Sequence, residues 1–164
     1  MFSDRFRNFR TRTVVAVERE LTRKERWPPS AIKLVEQLVE KCAAAGKPSE
    51  RVAICGFSEG ACLATEFVAR NPRCYAGLIA FMGGFIGPPG SDLQHAGSLA
   101  GTPVLLSSGD PALHVPWQRD QESAHILQLI KAKGQFRRYP GCNHTILREE
   151  LFDAKTLLEP VMGC

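Results

Sequence analysis

Residues 52–67, VAICGFSEGACLATEF, carry an apolar segment into G-F-S-E-G and out again into a run of small and apolar residues. A short apolar run of this kind, VAIC at 52–55, reads as a buried parallel strand. Residues 59–70 read as a helix that stops near Asn71-Pro72. Ser58 stands between the two, at the centre of G-x-S-x-G. Strand, G-x-S-x-G and helix together form the nucleophile-elbow pattern. The reason for the glycines is steric: the serine occupies a sharp, strained turn, and Gly56 and Gly60 have no side chains to collide inside it. The turn lifts the hydroxyl above the sheet at a helix N-terminus, whose dipole favours a developing oxyanion. The alternative is a glycine-flanked strand–helix turn with an incidental serine.

Outward from this stretch, strand and helix patterns alternate. TVVAV (13–17) is a short strand candidate in an otherwise Arg-rich segment. After Pro28-Pro29, Ser30 fits a helix N-cap, and Ala31, Leu34, Val35, Leu38, Val39 and Cys42 follow at amphipathic spacing as far as Gly46. YAGLIAFMG (75–83) and TPVLLSSG (102–109) read as buried strands, with the glycine- and proline-punctuated loop GGFIGPPG (83–90) after the first. A helix is expected over 118–133 with Gly134 as its stop, a strand over 135–141 and a helix over about 148–159. This alternation predicts parallel βαβ units in a layered α/β domain.

Length and composition fit one globular domain with a sizeable core: 164 residues, 44% hydrophobic and 23% charged. The net charge of +4 belongs to one end. Residues 1–27 hold eight of the 21 basic residues and four of the 17 acidic ones, leaving thirteen of each in residues 28–164. All fourteen glycines lie from Gly46 onward. The expected division is therefore a divergent basic segment, 1–27, and an α/β domain, 28–164. The basic segment reads as a solvated end, and no nucleic-acid partner is expected of it. The six cysteines form no CxxC pair and no zinc-finger spacing with the four histidines, so no metal is expected. No membrane-length apolar run or signal-peptide core is present, and a reducing, cytoplasmic setting is the expectation.

A serine nucleophile needs a base. His125 falls inside a predicted helix and His95 in a polar loop, and both read as surface residues. His144, in YPGCNHTI, follows the last strand, where loops at the C-terminal edge of a parallel sheet collect active-site groups. The chain order Ser, acid, His of this hydrolase class also suits His144. His114 reads as a neighbour of the site rather than its base. The stretch SSGDPALHVP (107–116) offers one carboxylate, Asp110, which is either the acid or a turn-forming Asp before proline.

Taken together, GFSEGACLATEFVARNP, GGFIGPPG, GTPVLLSSGD, HVP and YPGCNHTI resemble the carboxylesterase/phospholipase family of α/β hydrolases, which includes the acyl-protein thioesterases. The likeness runs from about residue 30 to 158. It implies a partial α/β-hydrolase fold, N-terminally truncated or divergent, with a mostly parallel sheet flanked by helices. It also implies hydrolysis of carboxylic esters or thioesters without metal or organic cofactor, with Ser58 as nucleophile and His144 as base. Three departures accompany it. The family loop reads G-D-x-D-P-H-V-P or close to it, and Ala112 stands where its acid belongs, two residues beyond Asp110. The family's His-Gly oxyanion loop has no counterpart ahead of Gly46, which leaves the backbone N–H of Glu59 as the evident oxyanion donor. Glu59 itself replaces a common glutamine.

The leading expectation is a serine hydrolase acting on a small acyl ester or thioester, with Phe85, Ile86 and His114 at the substrate site. Phe85 and Ile86 either line an apolar acyl pocket or belong to the core. The competing expectation is a catalytically silent hydrolase-like interaction module. A third is that an altered reading frame or truncated gene produced residues 1–27 and the chain has no selected function. An unpaired edge beside the elbow strand invites partnering, either by TVVAV or by a second copy in a homodimer.

Overall fold

The computed structural model describes residues 13–17, 29–87, 93, 95–110 and 117–162. Five strands form one parallel sheet: β1 (Thr13–Val17), β2 (Val52–Phe57), β3 (Gly77–Phe81), β4 (Pro103–Asp110) and β5 (Lys133–Pro140). Four α-helices accompany them among the described residues: α1 (Pro29–Ala44), α2 (Glu59–Arg70), α3 (Trp117–Leu129) and α4 (Arg148–Met162). The strands lie in chain order, β1-β2-β3-β4-β5. Each crossover therefore steps the same way, and right-handed crossovers stack their helices on one face. Residues of α1, α2 and α3 accordingly share one core cluster with Ile54, Leu78, Ala80, Val104 and Leu106. The α4 residues Ala154 and Leu158 close the other face over Ala53, Cys55, Ile79, Phe81 and Leu105. The predicted parallel α/β architecture is what the chain forms.

The strand sequences are continuous apolar runs because both faces are covered. β2 and β3 are buried along their lengths, except for Phe57 at the tip of β2. β5, at the edge, is mostly exposed and carries Lys133, Arg137, Arg138 and Pro140, residues that discourage edge pairing. β1 takes the other edge, in register from Thr13 opposite Val52 to Val17 opposite Gly56. The elbow strand's edge is thus occupied by this chain's own basic, glycine-free segment.

Several boundaries depart from the sequence expectation. α1 opens at Pro29, so Ser30 lies inside its first turn, and proline suits that opening position because its missing N–H has no intrahelical acceptor there. On α1, Ala31, Val35 and Val39 are buried, whereas Leu34 and Leu38 are exposed: the buried stripe is narrower than the apolar one. β3 is shorter than 75–83, because Tyr75 and Ala76 lead into it and Met82 leaves it in a left-handed turn at φ 57°. α3 ends at Leu129, not at Gly134. Lys131 takes the left-handed closing position at φ 66°, with Lys131 N–H on Gln128 O and Ala132 N–H on Leu127 O. Gly134 lies instead within β5, opposite Val104.

Candidate active site

The sharp turn expected at Ser58 is present. Ser58 has φ 55° and ψ −121°, outside the regions open to ordinary residues, at a cost on the order of 1–3 kcal/mol. The surroundings hold it there. Its N–H donates to Phe81 O at 2.8 Å, and its carbonyl accepts from Ala61 and Cys62 at 3.0 and 3.1 Å, which starts α2. A Cβ on Gly56 would run into the Gly60 carbonyl, and one on Gly83 would lie 2.6 Å from Ser58 O. The elbow is therefore pressed between β2, α2 and the loop that follows β3. Glu59 is the first residue of α2, so its N–H points out of the helix's N-terminal end. The nearby thiol offers no rival nucleophile: burial pushes Cys62 up to about 12, and Asp120 and Glu59 add to the rise.

His144 lies in the loop between β5 and α4. Its ring sits 4.9 Å, centroid to centroid, from Phe57, the residue that precedes Ser58. Phe57 packs with Ile146, Leu151 and Leu157 against the α4-side core. Backbone contacts seat the loop on β4: Gly141 N–H donates to Asp110 O at 2.9 Å, and a Cβ on Gly109 would lie 2.6 Å from Cys142 O. The fold thus gathers the candidate nucleophile and the candidate base at one end of the sheet.

Asp110 ends β4, and its carboxylate pairs with Arg138 at 3.0 Å. The Arg138 guanidinium lies over the Trp117 ring of α3, 4.7 Å from its centroid, and Trp117 stacks on Phe136 at 4.5 Å. Alternation along β4 sets Asp110 with Val104, Leu106 and Ser108 on the α3 side, whereas His144 rests on Phe57 on the α4 side. Ala112 and His114 lie outside the described residues. Phe85 is closed off in the main core, with its N–H on Ser123 Oγ at 2.9 Å and its ring stacked on His95 at 5.3 Å. Of the two readings of this pair, the core one describes Phe85, and Ile86 faces solvent with 39% of its surface. His95, expected at the surface, is only half-exposed because of that stack.

Two buried carboxylates went unread in the sequence. They flank β4, one on each face, opposite consecutive serines. Glu150 of α4 accepts from Ser107 Oγ at 2.5 Å and from Leu147 N–H at 2.7 Å. Asp120 of α3 is closed to solvent beside Ser108 and Gly84, and among the described residues neither of its carboxylate oxygens is within hydrogen-bonding geometry of a partner. Burial raises the Asp120 carboxyl to about 6, while the adjacent Ser108 hydroxyl pulls the other way. The available signal was Ser107-Ser108 itself, two hydroxyls at the end of an apolar strand. Among the described residues no group of three or more His, Cys, Asp or Glu is arranged to hold a metal ion, and no helix is long and apolar enough to cross a membrane.

The strained serine at a strand–helix junction, followed along the chain by His144 beyond the last strand, is the layout of an α/β hydrolase. Residues 13–162 match the phospholipase/carboxylesterase family. The chain belongs to that family. A probable carboxylesterase of Oryza sativa subsp. japonica is 30% identical over 131 residues, 79% of this chain and 48% of its own length. Acyl-protein thioesterase 1 of Eremothecium gossypii is 32% identical over 135 residues, 79% of this chain and 55% of its own. The crystal structure of a phospholipase/carboxylesterase from Dyadobacter fermentans superposes with a TM-score of 0.75 at 39% identity, over 80% of this chain and 64% of that one. Carboxylesterase SOBER1 of Arabidopsis thaliana does so with a TM-score of 0.70 at 26% identity. This chain spans about half the length of the curated relatives it matches.

Proposed function

We propose that this family member is a serine hydrolase of carboxylic esters or thioesters. The observation that carries the proposal is Ser58 itself: a non-glycine residue held at φ 55° and ψ −121° at the start of α2, a strained conformation of the kind that clusters at active sites. In the proposed reaction the Ser58 hydroxyl adds to the acyl carbonyl and its proton passes to His144. The imidazolium then protonates the departing alcohol or thiol, leaving an acyl-serine. Water, deprotonated by His144, cleaves that ester and frees the carboxylic acid and the serine. The N–H of Glu59, at the positive end of α2, stabilises the negatively charged oxygen in both halves. Asp110, Ile86 and His114 are assigned to the same site as expected acid and substrate contacts; Phe85 supports it from the core. Residues 28–164 form the hydrolase-like body, to which β1 adds an edge strand. The names of the relatives support an ester or thioester, and the substrate is a small acyl compound that needs no cofactor.

A second reading is that the chain keeps the elbow as a silent binding module. The pairing of Asp110 with Arg138 favours it, because a carboxylate held by a guanidinium on the α3 side is poorly placed to orient a base on the α4 side. Turnover of p-nitrophenyl butyrate and of an S-acyl thioester separates the two. The hydrolase reading expects measurable rates that Ser58→Ala and His144→Ala each abolish; rates unaffected by both substitutions refute it.

A further inference from the structure

We propose that Glu150 is the positioning residue for His144, which it holds through the backbone of the loop rather than by touching the imidazole. The proposal rests on the hydrolase reading for the role of His144. It rests on separate geometry for the role of Glu150.

Glu150 is, with Asp120, one of two charged side chains closed to solvent among the described residues, and the one whose carboxylate reaches the loop of His144. Both of its oxygens are committed. One takes the hydroxyl of Ser107 at 2.5 Å and the other the N–H of Leu147 at 2.7 Å. The first contact ties α4 to β4, and the second ties the far end of the 141–147 loop to the same carboxylate. Glu150 is the third residue of α4 and Leu147 the residue just before the helix, so this second contact is half of a capping box. Burial raises the carboxyl of Glu150, and its two donors oppose that rise. A charge buried in this way is costly unless its hydrogen bonds repay it, so a helix cap alone is a weak reason to place one there.

The loop explains the placement. Asn143, His144 and Thr145 are exposed, and little apolar burial holds them. The near end is fixed by Gly141 N–H on Asp110 O and by the close seat of Cys142 O on Gly109. The far end is fixed at Leu147, three residues past His144, by Glu150. The carboxylate's second anchor, Ser107, stands in β4 directly opposite Phe81 of β3, whose carbonyl receives the Ser58 N–H. Glu150 therefore references the loop that carries the base to the strands that carry the nucleophile. A displacement of about 1 Å at a catalytic group is enough to cost on the order of 10²-fold in rate.

The test compares Glu150→Ala, Glu150→Gln and Ser107→Ala with Leu158→Ala, a buried α4 core residue away from the loop. Each is assayed well below its own melting temperature, by kcat on p-nitrophenyl butyrate and by the nuclear Overhauser contact between the His144 and Phe57 rings. Glu150→Ala is expected to lower kcat on the order of 10²-fold, with KM little changed, and to lose the ring contact. Glu150→Gln keeps one acceptor oxygen and should recover part of both, while Leu158→Ala should lower the melting temperature yet keep kcat and the contact. Unchanged kcat with the contact retained in Glu150→Ala overturns the proposal, as does an equal loss in Leu158→Ala. Should the wild type show no turnover, the hydrolase reading fails. The ring contact then decides the positioning role by itself: its loss in Glu150→Ala alone upholds that role, and its survival refutes it.

Discussion

At the scale of single residues, the molecule concentrates its strain at Ser58. Three other non-glycine residues among those described have positive φ: Met82, Ala100 and Lys131. All three sit in loops or at a helix end, whereas Ser58 stands at the start of a helix and combines φ 55° with ψ −121°. Glycine reaches that region with little penalty. Ser58→Gly is therefore expected to raise stability by about 1 kcal/mol, seen as a higher melting temperature, while removing the nucleophile; a lower melting temperature would contradict the claim of strain. The position of Ser58 was legible because G-x-S-x-G has a steric reason that a reader can reconstruct from residue types. The acid was not legible, since a carboxylate's partner depends on strand alternation and on neighbours such as Arg138 and Trp117 that lie far along the chain. The resemblance in sequence places the expected acid at position 112, where this chain has alanine, and Ala112→Asp should then raise kcat on an activated ester. An unchanged rate would show that the loop does not bring residue 112 to His144.

Elements reveal a second pattern. Both α1 and α3 end in the same closing motif, with a left-handed residue after the last turn. In α1 that residue is Gly46 at φ 75°, where the sequence pointed. In α3 it is Lys131, and the glycine three residues on belongs to β5. Helix ends were readable when glycine marked them and misread when a lysine bore the same backbone cost. The burial of Asp120 on α3 went unread for a similar reason: it lies beside Leu127 and Ser123, where its charge forecasts exposure. Its consequence is a pH-dependent stability. Well below the unfolded value of 3.8 the carboxyl is protonated in both the folded and the unfolded chain and costs nothing. As pH rises the unfolded chain, near 3.8, ionises first, and the folded chain is penalised until pH passes about 6. The penalty is then complete, at about 3 kcal/mol. Glu150 adds to it with the same sign, so the difference between wild type and Asp120→Asn isolates Asp120. Denaturant titrations between pH 4 and 7 should show the wild type losing stability relative to that variant. Parallel curves would refute the assignment.

For the whole molecule, the alternation of strand and helix was enough to foresee a parallel sheet, because periodicity and glycine punctuation are local properties. Strand order and the face covered by each helix were not local. They follow from crossovers that all step one way, which leaves α4 as the helix on the second face among the described residues. The place of β1 was the least legible feature, since five residues in a basic segment carry no sign of which edge they will take. In the structure they cover β2, the strand that leads to Ser58. Removing residues 1–17 should uncover that edge and increase self-association, measured by sedimentation at micromolar concentration against the intact chain. An unchanged sedimentation profile would mean that β1 does not protect the edge. The central claim remains that this fold presents Ser58 as a reactive hydroxyl. Its most direct test is treatment of the intact chain with a fluorophosphonate, followed by peptide mass mapping. A single adduct is expected on the peptide bearing Ser58 and none in Ser58→Ala; no adduct at saturating reagent, or one that persists in Ser58→Ala, would refute a reactive Ser58.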